Sequence, residues 1–193
     1  LPTVPAALTD GFTLPTHAVA QVFDGPGRPL RMQEFPLPDS LAPGEVLVAL
    51  RLATVCGSDL HTIEGRRSEP TPAILGHEGV GEVVRYGPGR DALHESDRVT
   101  WSIADSCGAC PFCTDYELPE KCDQLFKYGH ATTADGHGLN GTYASHVILR
   151  RGTRIVPVSD LLADSLVAPA NCALATVTNV LSQLPPTATS VLV

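Results

Sequence analysis

Cysteine, histidine and acidic side chains are concentrated in two short stretches of this chain. The first is Cys56-Gly-Ser-Asp-Leu-His61, and the second begins at Gly76-His77-Glu78. Cysteine and histidine are side chains that bind zinc, and a site with three protein ligands and an open fourth position is catalytic rather than structural. A turn and a following strand can bring Cys56 and His77 to one point. The two stretches therefore predict a catalytic metal site.

A second cysteine group has the spacing of a closed metal site. Its pattern is Cys107-x2-Cys110-x2-Cys113-x8-Cys122. Four thiolates this close in sequence predict a tetrahedral zinc site with no position left for a substrate. Two local disulfides and an iron–sulfur cluster are the alternatives. The lack of a secretory signal argues against the disulfides, and the spacing of the fourth cysteine argues against the cluster.

The sixth cysteine, Cys172, stands alone after Pro169-Ala170-Asn171, at the start of a predicted helix. A lone cysteine is more often a buried apolar residue than a metal ligand. With Cys172 as a further ligand beside Cys56, however, the two candidate metal sites account for all six cysteines. On the residues alone, Cys172 is therefore a candidate ligand beside Cys56.

The composition indicates a mainly β protein. Hydrophobic residues make up 43% of the 193 residues, enough for a packed core, while 17 glycines and 17 prolines favour short strands joined by tight turns. The net charge of −8 argues against nucleic acid or an anionic membrane surface as a partner. No stretch approaches the roughly 20 apolar residues of a membrane span. Six cysteines without a secretory signal predict a reducing, cytoplasmic location.

Alternation of apolar and polar residues predicts the elements that position these side chains. The predicted strands are 16–23, 30–35, 45–55, 77–84, 97–103, 141–149, 153–158 and 190–193. A short helix is predicted at 59–65 with Ser58 as its N-cap, and a longer one at 171–184, ended by Pro185-Pro186. The strand 45–55 leads directly into Cys56.

Four motifs, in this order and spacing, resemble the zinc-dependent medium-chain alcohol dehydrogenases. They are Cys56-Gly-Ser-Asp-Leu-His61, Gly76-His77-Glu78-x-x-Gly81-x5-Gly87, the four-cysteine group and Asn171-Cys172-x3-Thr176. The match covers about residues 16–193. Three further stretches, 51–67, 139–153 and 168–176, also resemble a subgroup of phosphonate-catabolism-associated dehydrogenases.

The resemblance implies a GroES-like, partly open β-barrel at 16–167, with a structural-zinc lobe at 104–125 and a loose extension at 1–15. Residues 168–193 would form the connecting helix and first strand of a Rossmann domain. That domain binds NAD or NADP, and its Gly-x-Gly-x-x-Gly fingerprint is missing before the sequence ends at Val193. We therefore expect the catalytic domain of a longer, homo-oligomeric enzyme, with the fragment itself inactive.

The resemblance also implies roles for individual residues. Two zinc ions are expected, one held by Cys56, His77 and Cys172 and one by the four-cysteine group. Glu78 would lie beside the catalytic zinc or approach it transiently, and Asp59 would orient His77. Ser58 would accept the proton of an alcohol substrate and pass it toward His61 and solvent, and Thr176 would face the nicotinamide. Taken alone, Ser58 fits a helix cap and His61 a surface histidine.

Some residues depart from the family pattern. The four-cysteine group has eight residues before its last cysteine, one more than usual, which bears on the role of Cys122. Ser96 stands where the family favours glycine, and Arg90 where the residue is usually small or apolar. Arg66-Arg67 fits either an attraction for an anionic substrate or, more simply, a solvated charged face.

The resemblance implies oxidation of an alcohol to an aldehyde or ketone, with hydride transfer to NAD or NADP. A different class of function is a non-catalytic zinc-binding GroES-like module that serves as an interaction surface. A zinc-free quinone reductase on the same fold conflicts with both sets of predicted ligands.

Overall fold

Strands dominate the architecture. The computed structural model describes residues 15–185, 187–188 and 190. In this part of the chain the strands are β1 (His17–Phe23), β2 (Arg31–Pro36), β3 (Val46–Thr54), β4 (Ala73–Ile74), β5 (Glu78–Tyr86), β6 (Arg98–Trp101), β7 (Ala104–Asp105), β8 (Phe126–Lys127), β9 (His146–Leu149) and β10 (Ile155–Pro157). The helices are α1 (Gly57–Ile63), α2 (Pro111–Thr114), α3 (Asp164–Val167) and α4 (Ala173–Ser182), with 3-10 turns at Pro119–Lys121 and Ala168–Asn171.

The strands form three antiparallel sheets. The largest has the order β10-β6-β5-β3-β9, the second β2-β1-β4, and the smallest pairs β7 with β8. In the described residues these sheets do not close into one barrel. The mainly β, partly open architecture expected from the sequence is confirmed.

The five-stranded sheet carries apolar residues on both faces. Val46 and Val48 of β3 belong to one buried cluster, together with Trp101 and Tyr128. Leu47, between the two valines, belongs to a second cluster that includes residues of β1. Because alternate residues of a strand point to opposite faces, β3 starts buried on both sides.

The helix after β3 begins two residues earlier than predicted. It runs over Gly57–Ile63, and Cys56 rather than Ser58 is its N-cap. The carboxylate of Asp59, three residues into the turn, accepts a hydrogen bond of 2.9 Å from the backbone N–H of Cys56. The prediction of Ser58 as a cap was therefore wrong, because Asp59 satisfies the free N–H at this helix end.

The predicted strand at 141–149 is shorter than expected. Only His146–Leu149 pairs with β3, while the segment before it crosses to the second sheet. There Tyr143 donates to the carbonyl of Leu75 and accepts from the N–H of Gln21. A Cβ at Gly141 would lie 2.1 Å from the carbonyl oxygen of Ile74. Glycine therefore permits a backbone contact that ordinary alternation does not reveal.

The predicted helix at 171–184 is preceded by a break. α3 and the 3-10 turn Ala168–Asn171 come before it, and α4 begins after Cys172, which has φ −118° and ψ −75°. No single helix among the described residues is long and apolar enough to cross a membrane. The helical segments 164–171 and 173–182, with a bend between them, together reach that length and hydropathy, and only length and composition support such a span.

Two terminal predictions lie wholly or mostly outside the described residues. They are the loose extension at 1–15 and the strand at 190–193. The domain boundaries 16–167 and 168–193 stay predictions.

Two of the departures from the family pattern, Ser96 and Arg90, have different structural consequences. Ser96 has φ 72°, in the left-handed region that glycine adopts most easily. Arg90 donates from its guanidinium to four backbone carbonyls, those of Gly44, Arg150, Arg151 and Thr153, at 2.8–3.3 Å. It therefore ties the turn before β10 to the loop before β3, a contact that a small apolar residue could not make.

Candidate functional site

Two thiols, an imidazole and a carboxylate meet at the ends of β3, β5 and the 3-10 turn before α4. Cys56, His77, Glu78 and Cys172 each offer one ligand atom, and these atoms all lie within 4.8 Å of one another. Zinc binds sulfur at about 2.3 Å and nitrogen at about 2.0–2.1 Å, so two tetrahedral ligand atoms lie about 3.3–3.8 Å apart. The donor types and their separation fit one shared zinc ion after small adjustments.

Strand pairing brings the first two of these segments together. In the antiparallel register of β3 and β5, Thr54 pairs with Glu78. Cys56 follows the end of β3 by two residues and His77 directly precedes β5, so the two residues lie close together. The hydroxyl of Thr54 also donates a hydrogen bond to the Glu78 carboxylate. The register of these two strands thus determines most of the cluster's geometry.

Asp59 connects the two ligand-bearing segments. Its buried carboxylate accepts hydrogen bonds from the N–H of Cys56 at 2.9 Å, from the N–H of Gly76 at 3.2 Å and from the hydroxyl of Tyr143 at 3.1 Å. The Nδ1 atom of His77 lies 3.8 Å from Asp59 Oδ1, beyond hydrogen-bond distance. Asp59 therefore holds the backbone on both sides of the site, and its predicted orientation of the His77 ring stays a prediction.

Tyr143 was not found by sequence reasoning. It lies 84 positions from Asp59, and no spacing or motif links the two residues. Burial raises the pKa of the Tyr143 hydroxyl, and the negative charge of Asp59 raises it further. The hydroxyl is therefore a stable donor to the carboxylate.

The predicted proton acceptors lie on α1. The Ser58 Oγ atom is buried and has no hydrogen-bond partner within the described residues. His61, three residues further on, is exposed to solvent. Residues three apart lie on the same side of a helix. The arrangement is compatible with a path from a buried hydroxyl to solvent, although no direct contact joins the two side chains in the described residues.

A second histidine, also missed from the sequence, lies against His77. The rings of His130 and His77 stack with centroids 5.4 Å apart, and His130 Nδ1 is 3.0 Å from the Glu69 carboxylate. Burial lowers the pKa of His130, against the opposing effect of the Glu69 charge. The same carboxylate pairs with Arg67, while Arg66 pairs with Glu64. Both arginines therefore have acidic partners, in agreement with a charged surface rather than an anion site.

The electrostatics of the four-residue cluster favour a cation. Burial and, after it, the nearby charges of Cys56 and Glu78 together raise the pKa of the Cys172 thiol to about 12. Negative groups gathered at a partly buried position repel one another unless a positive ion compensates them. A bound metal cation would compensate this repulsion, which would explain why these side chains lie together.

The four remaining cysteines converge at the surface loop around α2. Their sulfur atoms lie within 4.8 Å of one another, with 3.6 Å from Cys110 to Cys113 and 3.9 Å from Cys110 to Cys122. Four sulfurs around zinc at about 2.3 Å lie about 3.8 Å apart, so these separations fit a tetrahedral zinc site. All six cysteines are free, and the disulfide alternative is wrong for this structure.

Backbone geometry accommodates the eight residues before Cys122. Glu117 adopts φ 53°, the N–H of Leu118 donates to the carbonyl of Phe112, and the 3-10 turn Pro119–Lys121 leads back to the fourth cysteine. Backbone N–H groups of Cys107 and Gln124 then donate to the Cys122 sulfur at 3.3 Å. The sulfur of Cys122 thus lies with the other three despite the longer loop.

Thr176 lies one helical turn after Cys172 and is exposed. Its hydroxyl donates to the carbonyl of Cys172 at 2.8 Å, and both residues line a cavity of about 830 Å³. Trp101 and Asn171 line the same cavity. The predicted nicotinamide-facing residue therefore borders an open space next to the metal cluster.

Comparison with known proteins shows similarity along most of the chain. Residues 42–160 match the family described as the alcohol dehydrogenase GroES-like domain. A zinc-type alcohol dehydrogenase B of Aspergillus flavus is 33% identical over 110 residues, which cover 57% of this chain and 25% of that protein. The chain thus spans about a quarter of that relative.

Two solved structures resemble the fold over a larger part of the chain. An alcohol dehydrogenase of Thermotoga maritima gives a TM-score of 0.81 at 31% identity, covering 89% of this chain and 48% of that one. The acetophenone reductase of Geotrichum candidum, in complex with NAD, gives 0.69 at 26% identity, covering 83% and 45%. The chain therefore spans less than half of either structure.

Proposed function

Because the chain belongs to the zinc-dependent medium-chain alcohol dehydrogenases through its GroES-like domain, we propose that it is the catalytic part of an enzyme that oxidises an alcohol. The product would be an aldehyde or ketone, and the hydride would pass to NAD or NADP. The observation that carries this proposal is the cluster of Cys56, His77, Glu78 and Cys172, with their ligand atoms within 4.8 Å. A second proposed feature is a total of two zinc ions per chain.

In this proposal Cys56, His77 and Cys172 hold the catalytic ion, and Glu78 stands beside it. When bound, zinc supplies Lewis-acid polarisation of the substrate oxygen. The four-cysteine group holds the second ion and stabilises its loop, because metal binding by such a loop contributes directly to folding. The separations of the Cys110 sulfur from those of Cys113 and Cys122, 3.6 Å and 3.9 Å, support a metal ion in this group.

The protein's own side chains would handle the proton. Ser58 would accept it from the substrate hydroxyl, since its Oγ atom is buried without a partner in the described residues. His61, exposed on the same side of α1, would return the proton to solvent. Thr176 would contact the nicotinamide from the edge of the neighbouring cavity. A non-catalytic zinc module would have no use for this buried hydroxyl beside the metal ligands.

The proposal extends to partners and location. The substrate class is a small alcohol or, in the reverse direction, an aldehyde or ketone. The net charge of −8 supports the absence of nucleic acid or an anionic membrane among the partners. We also propose a homo-oligomeric full-length enzyme in the cytoplasm, in keeping with six free cysteines.

Replacement of Cys56 by alanine tests the proposal in the full-length protein. Loss of one sulfur ligand should remove zinc from the catalytic site, lower the zinc content from two ions to one, and abolish alcohol-dependent reduction of NAD or NADP. The comparison variant, Cys110→Ala, should also lose one zinc, with a clear fall in the melting temperature. Unchanged zinc content and turnover in Cys56→Ala would refute the ligand assignment.

A further inference from the structure

The backbone pairing of β5 and β6 opens into a fork next to the metal cluster. The two strands pair at Gly81–Val99 and Glu82–Arg98. Beyond this pairing, the hydroxyl of Thr100 donates to the carbonyl of Gly79 at 2.9 Å. Side chains therefore take over from the backbone as the hydrogen-bond donors where the strands separate.

The amide of Asn171 lies at the open end of this fork. Its Nδ2 atom donates to the carbonyl of His77 and to the carbonyl of Trp101, both at 3.0 Å. His77 and Trp101 are 3% and 1% exposed, so water is nearly excluded from both residues. A buried carbonyl left without a donor costs about 1–3 kcal/mol. Asn171 thus satisfies two backbone groups that the sheet itself leaves open.

The chemistry of the two carbonyls determines the orientation of this amide. The NH2 group has two hydrogens, one for each carbonyl oxygen, whereas the amide oxygen is only an acceptor. A flipped amide would place Oδ1 against two other oxygens. In the observed orientation Oδ1 is buried and has no partner among the described residues. The contact therefore depends on donation alone.

Asn171 directly precedes Cys172 and bridges to the backbone of His77. From this we propose that Asn171 is a positioning residue, which sets the separation of these two metal ligands. The inference rests on the proposed catalytic zinc site. In this role, one uncharged side chain links Cys172, which is distant in sequence, to the other residues of the metal cluster.

The segment around Cys172 also has other contacts. Before it, Val167 and Ala168 pack against Val80. After it, no residue of α4 is buried. The backbone N–H of Cys172 makes a long bond of 3.4 Å to the carbonyl of Pro169. Asn171 therefore adds a polar bridge to the apolar packing that precedes Cys172.

A matched control exists elsewhere in the chain. Asn140 also uses its Nδ2 atom to bridge two backbone carbonyls, those of Thr132 and Asp135, both at 2.9 Å. Asn140 is 6% exposed, and its side chain contacts no residue of the metal cluster through these bonds. Replacing each asparagine by aspartate removes the same kind of double donation and introduces the same charge. Only one of the changes lies beside a metal ligand.

The test measures zinc affinity in the full-length protein by competition with a chromophoric chelator. Outer contacts of metal ligands typically change affinity by about 10–100-fold. We expect Asn171→Asp to weaken the site of Cys56, His77 and Cys172 by about that factor and to leave the four-cysteine site unchanged. Asn140→Asp should leave both affinities unchanged, although it lowers the melting temperature.

The possible results separate the positioning role of Asn171 from the proposed function. Equal affinity of the catalytic site in Asn171→Asp and the unmodified protein, with that site occupied, would overturn the positioning role and leave the proposed function intact. An unmodified protein without zinc at that cluster would instead overturn the proposed function. If Asn171→Asp does not fold, the zinc affinity of Asn171→Ser provides the same test. Serine is neutral and can donate to one carbonyl only.

Discussion

At the scale of single residues, Asp59 connects separate segments of the candidate site. Its carboxylate accepts from the N–H of Cys56, the N–H of Gly76 and the hydroxyl of Tyr143. A carboxylate that accepts several hydrogen bonds holds its donors more firmly than a neutral acceptor does. Asp59 therefore organises the backbone around the metal ligands, in addition to lying near the His77 ring.

Sequence motifs identified the residues of the site but not all of their contacts. The spacing around Cys56 and His77 predicted neighbours, and the structure brings their ligand atoms together with those of Glu78 and Cys172. The contacts of Tyr143 and His130 could not be predicted, because they depend on how separate segments cross. The roles of the individual ligands stay predictions until metal binding is measured.

Ser96 offers a prediction about a single backbone angle. Its φ of 72° costs an L-residue about 1–2 kcal/mol, whereas glycine adopts this region freely. Ser96→Gly should therefore raise the free energy of unfolding, by about 0.5–1 kcal/mol after the greater unfolded-state entropy of glycine is allowed for. Denaturant unfolding, with metal content held constant, measures the change.

The control for this prediction is Ser68→Gly. Ser68 is also exposed, but it is not among the described residues with positive φ. This substitution should be neutral or slightly destabilising. Equal effects of the two glycine substitutions would show that the backbone at Ser96 is not strained.

At the scale of elements, an ion-pair network attaches α3 to the large sheet. Asp164 accepts from Arg51 of β3 at 2.9 Å and from the Nε atom of Arg98 of β6 at 2.8 Å. Arg98 also donates to the carbonyl of Ser159 at 2.8 Å. The network thus fixes the start of the segment that leads to Cys172.

Asp164 should make the free energy of unfolding depend on pH in the acidic range. Burial raises the pKa of its carboxyl group, but the hydrogen bonds and charges of Arg51 and Arg98 outweigh burial and lower the pKa below the usual 3.8. The unfolded chain therefore takes up this proton first as the pH falls, so the stabilisation is present above pH 3.8 and is lost below it. Asp164→Asn should lower the free energy of unfolding by about 1–2 kcal/mol at neutral pH.

A series of unfolding measurements from neutral pH into this acid range checks the prediction. Asp160→Asn is the control, since Asp160 is exposed and makes no ion pair within the part of the chain that the structure describes. The difference between Asp164→Asn and the unmodified protein should shrink as the pH falls. A constant difference across the series would contradict the assigned ion pairs.

The elements show why strand patterns were only partly informative. Periodicity predicted β1, β3 and β5 closely, because long strands with apolar faces have strong patterns. The predicted strand at 141–149 was too long, since Gly141 packs closely against the backbone of Ile74 and Tyr143 forms backbone hydrogen bonds with Leu75 and Gln21 instead of continuing β9. The short strands β7 and β8 have too few residues for any alternation to be visible.

At the scale of the whole molecule, one β framework holds two candidate metal sites of different kinds. The first gathers ligands from the ends of β3 and β5 and from the turn before α4, so it depends on the tertiary fold. The second lies within one loop between Cys107 and Cys122. The spacing of the four cysteines was enough to predict the loop site, while the assignment of Cys172 to the first site depended on the family resemblance.

The number of zinc ions per chain is the most direct test of the account. Elemental analysis of the full-length protein, purified without chelator and normalised to protein concentration, should give two zinc ions per chain. Cys56→Ala, measured alongside, should give one. An unmodified protein that binds no zinc after reconstitution, or a Cys56→Ala protein that still binds two ions, would contradict the assignment of Cys56, His77 and Cys172 as zinc ligands.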